Sequence, residues 1–572
     1  MKSKPLFSLV FVLLVASLVL AACQPAAPAP TSAPEQPAVE QPAAESPTVA
    51  EPATEAPATE EPAAPAGVPD REFLWTKNLR EAVAAAIDRE VIVDRVFEGR
   101  NIPAYHMVPT GYPYATEPFL DKYGVRDLDM AIELVKSEGY TEDNPFTFTL
   151  WFPPEHYGTT TADVMQVIKE QIEETGVMKV ELKSMNWAEY VNGFFAGELP
   201  VFMLGWFPDF ADPETWLSPF ASCLQSPDNG VNYCNPEMDK LLVSAASSSD
   251  PAVREDLYAQ IGELYADEVP TIPLFWEPEF ISYRDGVQGV VVGAPFEFNY
   301  HVLSFGPDAK PAAGNTDTII IGTTDEVNSL DSADAYATHD WEIIKNTGMA
   351  LLSYTPGTSE LVPGAAAAMP ESSNDGKTYT FKLKEGLKFA DGTPVNAQTY
   401  VDSWNRLDSL DGQVSGLIQL YVDDVVAVDE STVQYNLKEA FGFFPALSAT
   451  APFVPQNPNE FKTDAINQYP TKLDGIGAYR MVSHEPGQQM VLEANPYYLG
   501  QAPAINKVII RYFADPTTMS NAVEKGEIDV AWRTLGPVEA IRLQSVNGVH
   551  VDKIDAPALR YIVFNHTYPY NK

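Results

Sequence analysis

Runs of strand length alternate with runs of helix length on both sides of a single proline- and glycine-rich break, and that alternation restricts the chain to α/β architectures. The break is Gly306-Pro307-Asp308-Ala309-Lys310-Pro311-Ala312-Ala313-Gly314-Asn315, a composition that reads as a linker. Apolar stretches at 146–152, 201–206, 318–323 and 507–513 predict strands, and 162–175 and 251–267 predict helices. Within 78–99, Leu79, Val83 and Ile87 recur at helical spacing. Asp88 is placed to cap a second helix with Ile92, Val93 and Val96 on one face, and Gly99 to end it. This helix pair reads as packed core and carries no chemistry.

The N-terminal 67 residues are of another kind. Lys2 and Lys4 precede an almost unbroken apolar run, and Leu20-Ala21-Ala22-Cys23 closes it with small residues before a cysteine. The tetrapeptide resembles a bacterial lipobox, so residues 1–22 are expected to be a lipoprotein signal peptide and Cys23 the lipidated new N-terminus. An ordinary secretory signal with an incidental cysteine is the alternative. Residues 24–67 hold eleven prolines and seven glutamates with no aromatic and no basic residue, too little apolar surface to repay ordering. Residues 23–67 therefore read as a disordered tether.

Charge removes whole classes of function. The chain carries 79 acidic against 36 basic residues, a net charge of −43, so nucleic acid and anionic membrane surfaces would meet a field of the wrong sign. Three cysteines and seven histidines are scattered without the paired spacings of a zinc or iron–sulfur site, and no metal or other cofactor is expected. Nucleophile-elbow, phosphate-loop, zincin and dinucleotide motifs are missing. Chance pairs among many carboxylates make a hydrolytic acid pair a weak reading. The expectation is a binding protein and not an enzyme, with a secreted hydrolase as the alternative from another class.

One segment concentrates aromatic and acidic residues: Gly205-Trp206-Phe207-Pro208-Asp209-Phe210-Ala211-Asp212-Pro213-Glu214-Thr215-Trp216. It follows the apolar strand at 201–204, so its side chains should emerge at a strand end, where clefts of α/β domains form. A carboxylate there could hold an ammonium group. A surface loop whose Trp206 and Trp216 cap the core fits the composition equally. Cys223 and Cys234 flank a turn-rich stretch, and an oxidising compartment favours a disulfide between them over two free thiols.

The same segment resembles the Gly-Trp-x-x-Asp-x-x-(Asp/Glu)-Pro stretch of the extracytoplasmic solute-binding proteins of oligopeptide and dipeptide ABC transporters, family 5. So do YTFKLKEGLKFADGTPVNAQTYVDSWNR at 379–406, GIGAYRMVSHEPGQQMVLEANPYYLG at 475–500, AVEKGEIDVAW at 522–532 and NLREAVAAAIDR at 78–89. The order of these landmarks departs from the family, whose members place the region similar to 318–565 first and the region similar to 78–305 second. The chain therefore resembles a circular permutant: 68–305 as a C-terminal-type half, 306–317 as a linker, and 318–572 as an N-terminal-type half. A piece of a tandem array would look the same.

The resemblance implies a two-lobed periplasmic-binding-protein-like clamshell of class II type, crossed by segments similar to 559–568 and 273–283. The permutation would sever the first crossover. It implies short peptides bound extended between the lobes, with Asp209 on the α-ammonium and Trp206 and Phe207 lining that wall. Tyr336, Trp532 and Asn565 would face the cleft from the other side. Oligosaccharides or metal chelates are the alternative ligands. The partners implied are ABC transporter permease subunits and, through the lipid anchor alone, the membrane. The protein is expected to be an extracytoplasmic monomer anchored to the cell membrane.

Overall fold

Two strands, Thr271–Arg284 and Val549–Phe564, are 14 and 16 residues long and run antiparallel beside each other over almost their whole length. They organise a computed structural model that describes residues 75–568, apart from 111, 155, 158, 159, 294–296 and 534. The expected signal peptide, Cys23 and the whole of the expected tether fall outside the described residues. No described helix is long and apolar enough to cross a membrane.

The main sheet has eleven strands: β1 Ile102–Pro103, β2 Phe146–Phe152, β3 Met178–Ser184, β4 Val201–Trp206, β5 Thr271–Arg284, β6 Thr318–Thr323, β7 Tyr479–Glu485, β8 Gln489–Ala494, β9 Lys507–Tyr512, β10 Val530–Ala531 and β11 Val549–Phe564. Their order is β7-β8-β9-β6-β10-β5-β11-β4-β2-β3, with β1 paired to β5. Strands β2, β3 and β4 pair in parallel, as do β9, β6 and β10, so each end of the sheet is an α/β layer of its own.

β5 and β11 belong to both ends. Residues 549–554 of β11 pair with 279–284 of β5 beside β10, whereas 558–563 pair with 271–277 beside β4. The register shifts between Ile554 and Ala558. Pro278 and Pro557 sit at this point, and neither can donate a ladder hydrogen bond. The ladder is thereby weakened where one lobe gives way to the other. Lobe B comprises 75–277 and 558–568, and lobe A comprises 279–554. Each lobe has its own main core: Leu79, Phe148, Phe202 and Phe564 cluster in lobe B, and Ile319, Phe381, Tyr479 and Trp532 in lobe A, where Phe210 and Ala246 of lobe B also pack.

This corrects the expectation of a severed crossover. β11 passes unbroken from lobe A into lobe B, and the lobes are joined by two continuous strands. The linker at 306–317 lies within lobe A, the lobe that the resemblance implies for the joined ends. It turns along lobe A, where the Asp529 carboxylate accepts the Ala312 N–H at 2.7 Å and the Ile320 N–H at 2.8 Å. Residues 285–305 already belong to lobe A, with Phe298, Tyr300 and Leu303 in its core.

Local expectations in lobe B hold. Helix α1 is Lys77–Ala86 and helix α2 Arg89–Phe97, with the Asp88 carboxylate accepting the Val91 N–H at 2.9 Å and Gly99 left-handed (φ 76°) just beyond the end. Arg89 of α2 is fully buried and donates through Nε to the Pro273 carbonyl at 2.8 Å, which ties the helix pair to β5. Helix α3, Thr161–Glu173, covers β2 and β3. In lobe A a separate antiparallel sheet of Glu371–Ser373, Thr378–Lys382, Thr432–Leu437 and Val422–Asp429 adds a further layer.

A buried ion pair fixes the lobe-A loop that faces lobe B. The Asp331 carboxylate accepts Arg406 Nη1 at 2.7 Å and Nη2 at 2.6 Å, Gln456 Nε2 at 2.8 Å and the Asn467 N–H at 2.8 Å. Asp331 is fully buried and Arg406 nearly so, so either group alone would be an uncompensated charge. Replacing Arg406 by Met is expected to lower stability by about 3–5 kcal/mol, measured by urea denaturation. A loss below about 1 kcal/mol would contradict the pair's role.

Candidate functional site

The lobes meet along a trough that holds two cavities, each of about 340 Å³. Lobe B contributes the end of β4 and the loop after it. Lobe A contributes the loop that ends at helix α4, Thr338–Thr347, and the helix itself. Trp206, Asp209 and Tyr336 line both cavities, so this trio forms the wall between them. Phe207 lines the first cavity and is 38% exposed.

Gly205 permits this arrangement by its size. A Cβ at position 205 would come within 2.7 Å of both Arg560 Nη1 and Tyr157 Cε1. Arg560 is buried beneath the strand end, paired with Glu277 of β5 and lying 4.5 Å from the centre of the Tyr157 ring. The guanidinium thus sits under the loop and leaves Trp206 to turn its Nε1 inward to the Thr215 carbonyl at 2.8 Å. The ring packs edge-on against Phe220.

Asp209 lies in the next position of the wall. Its backbone N–H donates to Thr215 Oγ1 at 3.2 Å, and the same hydroxyl approaches Asp209 Oδ2 at 3.4 Å. From lobe A the Tyr336 hydroxyl donates to the carboxylate. Both partners favour the ionised form, yet burial in the trough outweighs them and raises the carboxyl to about 6. Among the described residues no cation is paired with Asp209. The other acids of the first cavity are compensated. Glu297 pairs with Lys345, and Glu342 accepts Arg533 Nη2 at 2.8 Å, Arg533 Nε at 3.0 Å and Trp532 Nε1 at 2.8 Å.

The sequence-based candidates therefore divide. Trp206, Phe207, Asp209 and Tyr336 come together at one cavity. Trp532 is 1% exposed and stands one layer behind, where it orients Glu342 and packs edge-on against Phe298. Asn565 does not face the cleft, which corrects the expectation. In the β11–β4 ladder Leu559 pairs with Trp206 and Phe564 with Val201, so Asn565 lies beyond the opposite end of β4, about 20 Å away at strand rise. Its Oδ1 is occupied by Asn232, the Thr567 N–H and the Thr567 hydroxyl, which makes it a lobe-B fastening. Cys223 and Cys234 form a disulfide, and its loop supplies Leu224, Gln225 and Asp228 to the second cavity. Among the described residues no group of three or more His, Cys, Asp or Glu is placed to hold a metal.

Sequence reasoning missed Glu342, Arg533 and Tyr354. The Tyr354 hydroxyl accepts the Ala211 N–H at 3.3 Å across the lobes, and no motif marks it.

Residues 49–228 and 360–572 match the family described as bacterial extracellular solute-binding proteins, family 5. The chain belongs to that family. Membership places it among solute-binding proteins of transport and not among enzymes. The fold observed is mixed α/β with a large sheet.

Curated relatives include the probable D,D-dipeptide-binding periplasmic protein DdpA of Escherichia coli K12, 30% identical over 266 residues, or 45% of this chain and 51% of that protein. The periplasmic oligopeptide-binding protein OppA of Haemophilus influenzae is 27% identical over 35% of this chain and 37% of its own length. A nickel-binding periplasmic protein of E. coli K12 is 29% identical over 32% and 36% respectively. The alignments thus span about half, or less, of these relatives. Among solved structures, the unliganded open form of the murein tripeptide-binding protein MppA is similar at 23% identity and a TM-score of 0.36, covering 41% of this chain and 48% of that one.

Because the glycine is required by contact, Gly205→Ala is expected to displace Arg560 and Tyr157 and to cost about 1–3 kcal/mol of stability, the range for overpacking. Thermal and urea unfolding measure it, and an unchanged midpoint would contradict the close approach.

Proposed function

We propose that this chain is the lipid-anchored, extracytoplasmic binding protein of an ABC transporter, which captures short peptides between its lobes and passes them to permease subunits as a monomer. Asp209 carries this reading. A carboxyl raised by burial, held by two hydroxyls and lacking a cation among the described residues suits an incoming ammonium group, and a peptide's α-ammonium is such a group. Tyr336 reaches the same carboxyl from the other lobe, so ligand and closure meet at one point. Inside the trough, the pair gains Coulomb strength that water would screen. Relatives named for dipeptides and oligopeptides support the same ligand class.

The lipid anchor rests on Leu20-Ala21-Ala22-Cys23 alone. The nickel-binding relative favours a second reading, a metal chelate in the same trough.

The permuted order is part of this proposal. Its support is the neighbourhood of Trp75 and Phe564. Their rings lie 4.6 Å apart, and Trp75 Nε1 and the Asn565 N–H donate to the same Pro200 carbonyl, at 2.7 Å and 3.1 Å. In the order usual for the family, the chain leaving β11 would enter the segment before α1 at this place. The break then falls after the crossover and leaves both hinge strands whole.

Two outcomes are expected. Asp209→Asn should weaken peptide binding by about 2–5 kcal/mol in calorimetry with a defined peptide pool. Wild-type affinity should fall as pH drops through about 6, because protonation removes the charge that the ammonium needs, and the Asn variant should lose this dependence. Binding of nickel chelates with no binding of peptides would replace this reading. A variant chain with residues 316–568 placed before 75–305 through a short glycine–serine join is expected to fold as a monomer with an unchanged melting profile and peptide affinity. Failure to fold, or an obligate dimer, would contradict the permuted order.

A further inference from the structure

The second cavity differs from the first in charge. Its lining includes Asp209 on the shared wall, Glu214 at the start of helix Glu214–Ala221, and Asp228 on the disulfide loop, and among the described residues it has no lysine, arginine or histidine. Glu214 is 5% exposed, and its Oε2 has no hydrogen-bond partner. A buried carboxylate oxygen without a partner is costly.

Arg254 relieves it only in part and makes no hydrogen bond to it. Arg254 Nη2 is directed to Asp212 Oδ1 at 2.8 Å and to the Tyr258 hydroxyl at 2.9 Å, with its Nε on the Ala245 carbonyl. Burial, with the Asp212 charge beside it, outweighs a Ser218 hydrogen bond and the Arg254 charge and raises Glu214 to about 7. The remaining walls are apolar or neutral, with Trp206, Leu417, Leu420 and Tyr421 prominent. Such walls suit the methylene stem of a long side chain whose tip is charged.

We infer that the second cavity is a specificity pocket for a basic side chain, lysine or arginine, on the peptide residue whose α-ammonium meets Asp209, with Glu214 as the acceptor for the side-chain cation. The inference deepens the peptide-binding reading and rests on it. Asp209 faces both cavities, so one residue of the ligand can place its α-ammonium on the shared wall and its side chain in the second cavity. The disulfide fixes the loop carrying Leu224, Gln225 and Asp228, and so holds the rim of this pocket in place.

Calorimetry with Lys-Ala-Ala, norleucyl-Ala-Ala and Glu-Ala-Ala separates the possibilities, because norleucine keeps the stem of lysine and removes the charge. The lysine peptide is expected to bind wild type at least about tenfold more tightly than the norleucine peptide, with the glutamate peptide weakest. In Glu214→Gln, checked for folding by its melting profile, the lysine-to-norleucine ratio should fall close to one. Equal affinity of the lysine and norleucine peptides for wild type would overturn the pocket assignment and leave the peptide reading standing. A ratio that survives in the Gln variant would overturn the role of Glu214. Binding of none of the three peptides would overturn both readings together. The wild-type comparison is decisive even if the variant does not fold.

Discussion

The pairing of β5 with β11 is the constraint on which the other features depend. Each strand is half of one lobe's sheet and half of the other's, so neither lobe can complete its sheet without the pair. Their register shift at 554–558, with a proline in each strand, concentrates the break in hydrogen bonding at one level of the molecule. Bending at that level moves whole lobes and leaves each core intact. The trough lies where the two lobes face each other, because β4, carrying the Gly-Trp segment at its end, is the direct neighbour of β11.

Within the trough, charge is distributed unevenly. Glu342 and Glu297 have cationic partners, Glu277 is held by Arg560, and Asp331 by Arg406. These pairs fix the walls. Asp209 and Glu214 carry no such partner, and burial lifts both. Buried acids left without a cation on the walls of cavities whose other buried acids, Glu297 and Glu342, are paired mark a place where a ligand can supply the missing charge.

What the sequence reveals follows from how local each interaction is. The Asp88 cap, the strand at 201–206 and the Gly-Trp-x-x-Asp segment depend on neighbours a few residues away and are legible. Glu342 and Arg533 are 191 residues apart, so their union needs the assembled sheet. Nothing local announces the length of β11: its pairing partners lie in β5, more than 260 residues away, and its register shift holds Pro557. The resemblance places Asn565 in the cleft, but strand direction carries it to the far end of lobe B. The polarity of a strand is set by its neighbours and is not written in its own residues.

Mass spectrometry of the small molecules released when natively purified protein is unfolded tests the central claim most directly. The account predicts short peptides with free α-amino groups, enriched in lysine or arginine at the first position. Recovery of oligosaccharides or metal chelates, with peptides absent, would contradict it.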